Sequence, residues 1–199
     1  MKVFGIGMFK TGTTTLGNAL QSLGYHCFNG PWKNVDEFPY DPWNETPEIY
    51  VANKKKLIAK VEQYDAFQDY PFMFAYKELD QWFPGSKFIL TTRDPQSLAK
   101  SDIEMWKRQN LARGDEVPSA SKFIQRYENH YSQVRQYFES RTDDLLTVSW
   151  FDGDEWTQLC QFLDCPIPSI PFPHANAAGG EVKKSLAHRI AVRIRRLFW

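Results

Sequence analysis

Cysteine is scarce, the histidines are dispersed, no apolar run is long, and neither sign of charge prevails. The three cysteines (Cys27, Cys160, Cys165) form no paired-spacing pattern and the four histidines (His26, His130, His174, His188) are scattered, which argues against a disulfide framework or a zinc site. No metal is expected. No apolar stretch approaches the roughly 20 residues that span a bilayer, and the first residues lack the charged start and small-residue cleavage site of a secretory signal. A soluble protein of the reducing cytoplasm is the expectation. Lys plus Arg and Asp plus Glu number 24 each, so no global field draws the chain to nucleic acid. That zero is the sum of unlike parts: Lys183, Lys184, Arg189, Arg193, Arg195 and Arg196 have no acidic neighbour after position 182, leaving the preceding residues net acidic.

What is present suits one ordinary domain: 199 residues, 42% of them apolar and 16% aromatic, enough for a buried core. Apolar periodicity and turn residues predict strands at 2–8, 25–29, 65–69, 87–92 and 145–151. Helices are predicted at 13–23, 47–63, 73–83, 95–109, 119–140 and 154–163. Asp94 is a good N-cap and Pro95 a good first helical residue, and Lys54 to Lys56 read as a solvated face. Residues 30–46 read as a long ordered loop, and 165–173, with four prolines, as an irregular connection. Strands alternating with helices of this length predict an α/β three-layer sandwich around a central four- to five-stranded, mainly parallel sheet. One domain is expected over 1–182, with 183–199 a basic helix docked on it or, as the alternative, lying against a membrane surface.

Between the first strand and first helix stands Gly7-Met8-Phe9-Lys10-Thr11-Gly12-Thr13-Thr14-Thr15. Backbone amides at such a turn, the positive end of a helix and several hydroxyls together make an anion site. The glycine spacing matches the Walker frame, but Thr13 occupies the lysine position and the lysine has moved forward to Lys10. An ATPase or kinase normally needs that lysine on the terminal phosphates. A different phosphate chemistry is indicated, with a variant P-loop kinase as the competing reading. A second segment, Arg93-Asp94-Pro95 with Ser101 eight residues after Arg93, puts a guanidinium at the end of a parallel strand and a hydroxyl two turns into the next helix. Such a pair can grip a phosphate by charge-assisted hydrogen bonds.

Lys10-Thr11-Gly12-Thr13-Thr14-Thr15-Leu16 resembles the phosphosulfate loop of sulfotransferases that use 3′-phosphoadenosine 5′-phosphosulfate (PAPS), of the form K-[ST]-G-T-[TS]-x-L. Arg93 and Ser101 resemble the same family's 3′-phosphate site in type, order and spacing. The likeness continues through Leu145-Leu146, Gly153, Trp156, Leu159-Cys160, Phe162-Leu163, Pro166, Pro168 and Phe172-Pro173-His174, as in the compact bacterial-type members.

The resemblance implies a P-loop NTPase-like fold and PAPS as co-substrate without a metal, bound by Lys10, Thr11, Gly12, Thr13, Thr14, Thr15, Arg93 and Ser101. It also implies transfer to a hydroxyl or amine of a sugar, lipid or small molecule. Lys10 is then the electrophilic catalytic residue and Asp69, following a central strand, the general base; His174 is the alternative. An inactive nucleotide-binding relative is the remaining reading. Trp150 and Phe151 resemble adenine contacts in relatives, although core packing is the simpler role. Gly179-Gly180 and Lys183 resemble a loop closing over the 3′-phosphate. The aromatic loop around Trp32, Phe38, Tyr40 and Trp43 is expected to line the acceptor pocket.

Overall fold

The computed structural model describes residues 1–32, 38–39, 46–110, 116–150 and 155–175. Within them five strands, β1 (Val3–Gly5), β2 (Cys27–Asn29), β3 (Ala66–Gln68), β4 (Lys87–Thr91) and β5 (Leu145–Val148), form one sheet in the order β2-β3-β1-β4-β5. All four pairings are parallel. The mainly parallel sheet expected from the sequence is therefore parallel throughout. The helices are α1 (Thr13–Ser22), α2 (Pro47–Ala52), α3 (Lys54–Glu62), α4 (Tyr76–Trp82), α5 (Pro95–Asn110), α6 (Ala120–Tyr137) and α7 (Trp156–Leu163).

Alternation along the short central strands produces the three layers. Phe4 stands in register with Phe67 and Phe88, and its ring lies 5.3 Å and 5.5 Å from theirs. That aromatic face is buried with Leu57 and Val61 of α3, Leu79 of α4, and Val134 and Phe138 from α6 and its end. The opposite face offers Val3, Ala66, Ile89 and Val148 to Leu16, Ala19 and Leu20 of α1 and to Leu159, Cys160 and Leu163 of α7. Each large apolar side chain buried this way stabilises the fold by about 1.5–3 kcal/mol.

Several elements differ from the sequence reading. The helix expected over 47–63 is two helices joined at Asn53, whose backbone N–H and side-chain Nδ2 both donate to the Ile49 carbonyl. An asparagine that bonds its own preceding turn competes with the regular helical ladder. The helix expected from Met73 begins only at Tyr76. Phe72, Met73 and Ala75 are all fully buried, whereas a regular surface helix buries only one stripe, so 70–75 form turns instead. The strands are shorter than expected: β2 and β3 end together, with Asn29 in register with Gln68, and β5 stops at Val148, in register with Thr91, the last residue of β4. Lys54, Lys55 and Lys56 are exposed, as expected of a solvated face. Among the described residues no helix is long and apolar enough to cross a membrane. Residues 176–199, and with them Gly179, Gly180, Lys183 and the basic tail, lie outside the described residues, as do Tyr40, Trp43 and Phe151.

Candidate active site

Strand order reverses direction at the boundary of β1 and β4: α1 carries the chain from β1 toward β2, while α5 and α6 carry it from β4 to β5. In open parallel sheets the crevice outside the carboxyl ends at such a point is where ligands bind. Here it is bordered by the loop after β1 and the turn after β4.

The loop after β1 is shaped by close packing. A Cβ at Gly7 would lie 1.9 Å from Thr91 Oγ1 and 2.7 Å from the Thr91 carbonyl, so only glycine lets the loop cross β4 this closely. Thr11 is fully buried: its hydroxyl donates to the Met8 carbonyl at 2.6 Å and shares a 2.6 Å hydrogen bond with Thr91 Oγ1. It closes the loop on itself and ties it to β4. Lys10 (φ 66) and Gly12 (φ 99) take left-handed backbone conformations on either side of Thr11. Gly12 is the N-cap of α1 and supplies no side-chain cap. The first intrahelical bond runs from Leu16 N–H to the Gly12 carbonyl at 3.0 Å, so the amides of Thr13, Thr14 and Thr15 sit at the positive helix end ahead of the ladder. Thr13 is buried, Thr14 exposed, and Thr15 accepts from Ala175 N–H at 3.1 Å, bringing the irregular connection after α7 over this helix end.

Arg93 leaves β4 two residues beyond its end, half-buried, and its Nη1 donates to the Lys10 carbonyl at 3.2 Å. Two tyrosines of α6 anchor this turn. Tyr127 Oη accepts from Arg93 N–H and donates to the Arg93 carbonyl, both at 2.9 Å, and Tyr131 Oη donates to the Thr91 carbonyl at 3.0 Å. Asp94 caps α5 as expected, accepting from Ser97 N–H at 2.8 Å, and this bond holds its carboxyl below the ordinary range. Ser101 is half-buried two turns on. Asp69 follows β3 directly, at φ 64 and 9% exposed, across β1 from Arg93 in the sheet order. The structure thus brings Lys10, Thr13 to Thr15, Arg93 and Asp69 to the carboxyl edge of one sheet, with Ser101 two turns into the helix that follows Arg93.

Two buried ionisable residues of this region gave no sequence signal. Asp102 on α5 is 6% exposed, and its Oδ1 has no hydrogen-bond partner among the described residues. Burial pushes its carboxyl up to about 7, against the opposing pull of Lys10, Arg126 and Arg93, in that order. His130 of α6 is buried too, and its Nε2–H donates to the Ile6 carbonyl at 2.7 Å. Burial lowers its pKa to about 4, so it is neutral at physiological pH. The only available hint was helical spacing: Asp102 lies four residues after the apolar Leu98, and His130 three after Tyr127.

Other residues singled out in the sequence have packing or surface partners. Trp32 and Phe38 are 5% and 0% exposed and stack at 5.3 Å within the aromatic core. Trp150 packs on Phe172 at 4.8 Å in the opposite core. His174 is about half exposed and faces Glu155 at 3.4 Å on the surface.

A family model described as a sulfotransferase domain matches residues 2–113 and 103–180. Among curated proteins the chain is similar to the Ava biosynthesis cluster protein M of Aspergillus versicolor, 27% identical over 226 residues, covering 92% of this chain and 84% of that protein. It is also similar to the structure-specific endonuclease subunit EME2 of Homo sapiens, 24% identical over 153 residues; this match covers 70% of the chain but 40% of that protein.

Proposed function

The chain belongs to the sulfotransferase-domain family, and from that premise we propose that it moves the sulfuryl group of PAPS to a hydroxyl or amine of a small acceptor in the cytoplasm. Bound at the crevice between β1 and β4, PAPS would supply the sulfuryl group and depart as adenosine 3′,5′-bisphosphate. The observation that carries this reading is the joining of Arg93 to the Lys10 carbonyl at 3.2 Å beside the side-chain-uncapped start of α1. Two cations and a row of amides there suit a ligand with two separated phosphates.

The residues divide the work by position. The amides and hydroxyls of Thr13, Thr14 and Thr15, with Gly12, hold the 5′-phosphate end; Thr11 keeps the loop in the shape that aims them. Arg93 and Ser101 hold the 3′-phosphate. Lys10 places its ammonium where negative charge grows on the oxygen that leaves sulfur, stabilisation that matters more in the transition state than in the ground state. Asp69 receives the proton that the acceptor loses as its oxygen or nitrogen bonds to sulfur. None of these steps calls for a metal.

Adenosine 3′,5′-bisphosphate should raise the melting temperature without magnesium, while ATP with magnesium should leave it unchanged. The reverse pattern would favour a kinase. Lys10→Ala should lower the rate of transfer by about 100-fold or more while changing nucleotide affinity much less, a split read from kcat against Kd.

A further inference from the structure

Spacing in the sequence pairs none of the three cysteines, but folding gathers them at one corner of the molecule. Cys27 opens β2 at the amino edge of the sheet, opposite the edge that carries Lys10 and Arg93. Cys160, in the last turns of α7, and Cys165, just beyond its end, join Cys27 in one apolar cluster, and Tyr25 interacts electrostatically with all three.

The end of α7 brings two of these sulfurs together. Asp164 is left-handed (φ 50), the Cys165 N–H donates to the Cys160 carbonyl at 3.0 Å, and the Asp164 N–H donates to the Gln161 carbonyl at 3.5 Å. This is the Schellman arrangement, which sets the side chains of the two outer residues against each other, a contact that two apolar groups usually fill. Here both are thiols, and a hydrogen bond joins them. Cys160 is 1% exposed and Cys165 half-buried, so a small molecule arriving from solvent meets Cys165 first, with Cys160 behind it. Burial and the neighbouring Cys165 push the Cys160 thiol up to about 11, and burial and Asp65 push Cys27 up to about 12. Both stay protonated near neutral pH, and a protonated thiol is a poor nucleophile.

We propose that Cys160 and Cys165 are a site of reversible oxidation by peroxides, with Cys165 the attacking and Cys160 the resolving sulfur. The Cys165 thiolate attacks one peroxide oxygen: an S–O bond forms, the O–O bond breaks, and the departing hydroxide takes up the proton that Cys165 lost, leaving as water. Cys160 then attacks the sulfur of the resulting sulfenic acid. An S–S bond forms, the S–O bond breaks, and the Cys160 proton leaves with the oxygen as a second water. Two electrons pass from the two sulfurs to one peroxide, and a dithiol reductant returns them. A disulfide needs its two Cβ atoms close and facing, which a thiol–thiol contact across a backbone-bonded pair supplies. Capture by Cys160 also spares Cys165 from irreversible oxidation to the sulfinic acid. The pair lies at the edge of the sheet remote from Lys10 and Arg93, so its chemistry is independent of the sulfuryl-transfer reading.

The test exposes the folded full chain to hydrogen peroxide, blocks the remaining thiols with iodoacetamide during unfolding, and reads the digested peptides by mass spectrometry. The peptide holding Cys160 and Cys165 should lose two hydrogens and carry no alkyl group at either position, Cys27 should be fully alkylated, and dithiothreitol should restore both thiols. Cys160→Ser should leave a sulfenic acid at Cys165 that dimedone traps and that longer exposure converts to the sulfinic acid, a product absent from the unsubstituted chain. Cys165→Ser should slow the loss of the Cys160 thiol by about tenfold or more, because the buried sulfur has lost the partner that starts the reaction. Cys160 and Cys165 both remaining alkylatable in the unsubstituted chain, a disulfide that joins Cys27 or a second chain instead, or Cys160 oxidised as fast without Cys165 would overturn the assignment.

Discussion

The Arg93 guanidinium reaches across the crevice between two neighbouring strand ends and donates to the Lys10 carbonyl at 3.2 Å. The two basic residues singled out from segments 83 positions apart are thereby parts of one rigid edge. Arg93 is held at both ends: its side chain by the Lys10 carbonyl, its backbone by Tyr127.

This double attachment separates two substitutions. Arg93→Ala removes the guanidinium and leaves the Tyr127 bonds to the backbone intact, so it should weaken adenosine 3′,5′-bisphosphate binding about tenfold or more with little loss of stability. Tyr127→Phe strips the partner from the Arg93 N–H and carbonyl, and should cost about 1–3 kcal/mol of stability. Calorimetric titration and urea unfolding of the two variants check the contrast.

Gly7→Ala should be among the most damaging single-methyl changes. Its Cβ would overlap Thr91 Oγ1 at 1.9 Å and press on Thr11 Oγ1 at 2.9 Å, the two hydroxyls that lock the loop to β4. Overpacking of this kind costs about 1–3 kcal/mol or more. The lowered urea midpoint should be accompanied by loss of nucleotide binding, because the loop and the strand end move together.

Asp102 should make ligand affinity pH-dependent. Its carboxyl is raised to about 7 by burial, so it is neutral below that pH and ionised above it, next to the cations Lys10 and Arg93. Adenosine 3′,5′-bisphosphate should bind more weakly as pH rises through about 7, and Asp102→Asn should flatten that dependence. Stability follows the same sign. Between the ordinary carboxyl value and about 7 the folded chain keeps a proton that the unfolded chain has lost, so this contribution fades as pH rises. At pH 8 Asp102→Asn should be the more stable protein, by up to about 4 kcal/mol. Unchanged stability at pH 8 would show that the carboxyl is adequately solvated.

His130 acts in the opposite direction. Its folded pKa is lowered to about 4, so the unfolded chain takes up a proton first as pH falls below about 6.5. Stability is complete above that value and is lost progressively toward pH 4, by about 3 kcal/mol. His130→Gln can still donate to the Ile6 carbonyl but cannot titrate, so its stability in urea should fall less steeply over this range.

The sequence by itself determined the fold class and the first parts of the site. Short apolar strands alternating with helices left no arrangement but a covered parallel sheet, and the Gly7–Thr15 loop and the Arg93-Asp94-Pro95 turn carry their chemistry in contiguous residues. Local spacing is enough for such motifs because strand, turn and helix end are neighbours in the chain. The turns at Asn53 and at 70–75 were not legible, since they depend on a side chain folding back and on consecutive residues all finding burial. Only the tertiary structure decided which residues surround these motifs. Trp32 and Phe38, aromatics of a long loop in the sequence, stack in the core, while Asp102 and His130, with no motif of their own, come near the loop after β1: Lys10 acts electrostatically on Asp102, and His130 donates to the Ile6 carbonyl. Burial and the charges of distant segments set their ionisation, and neither quantity is encoded in local spacing.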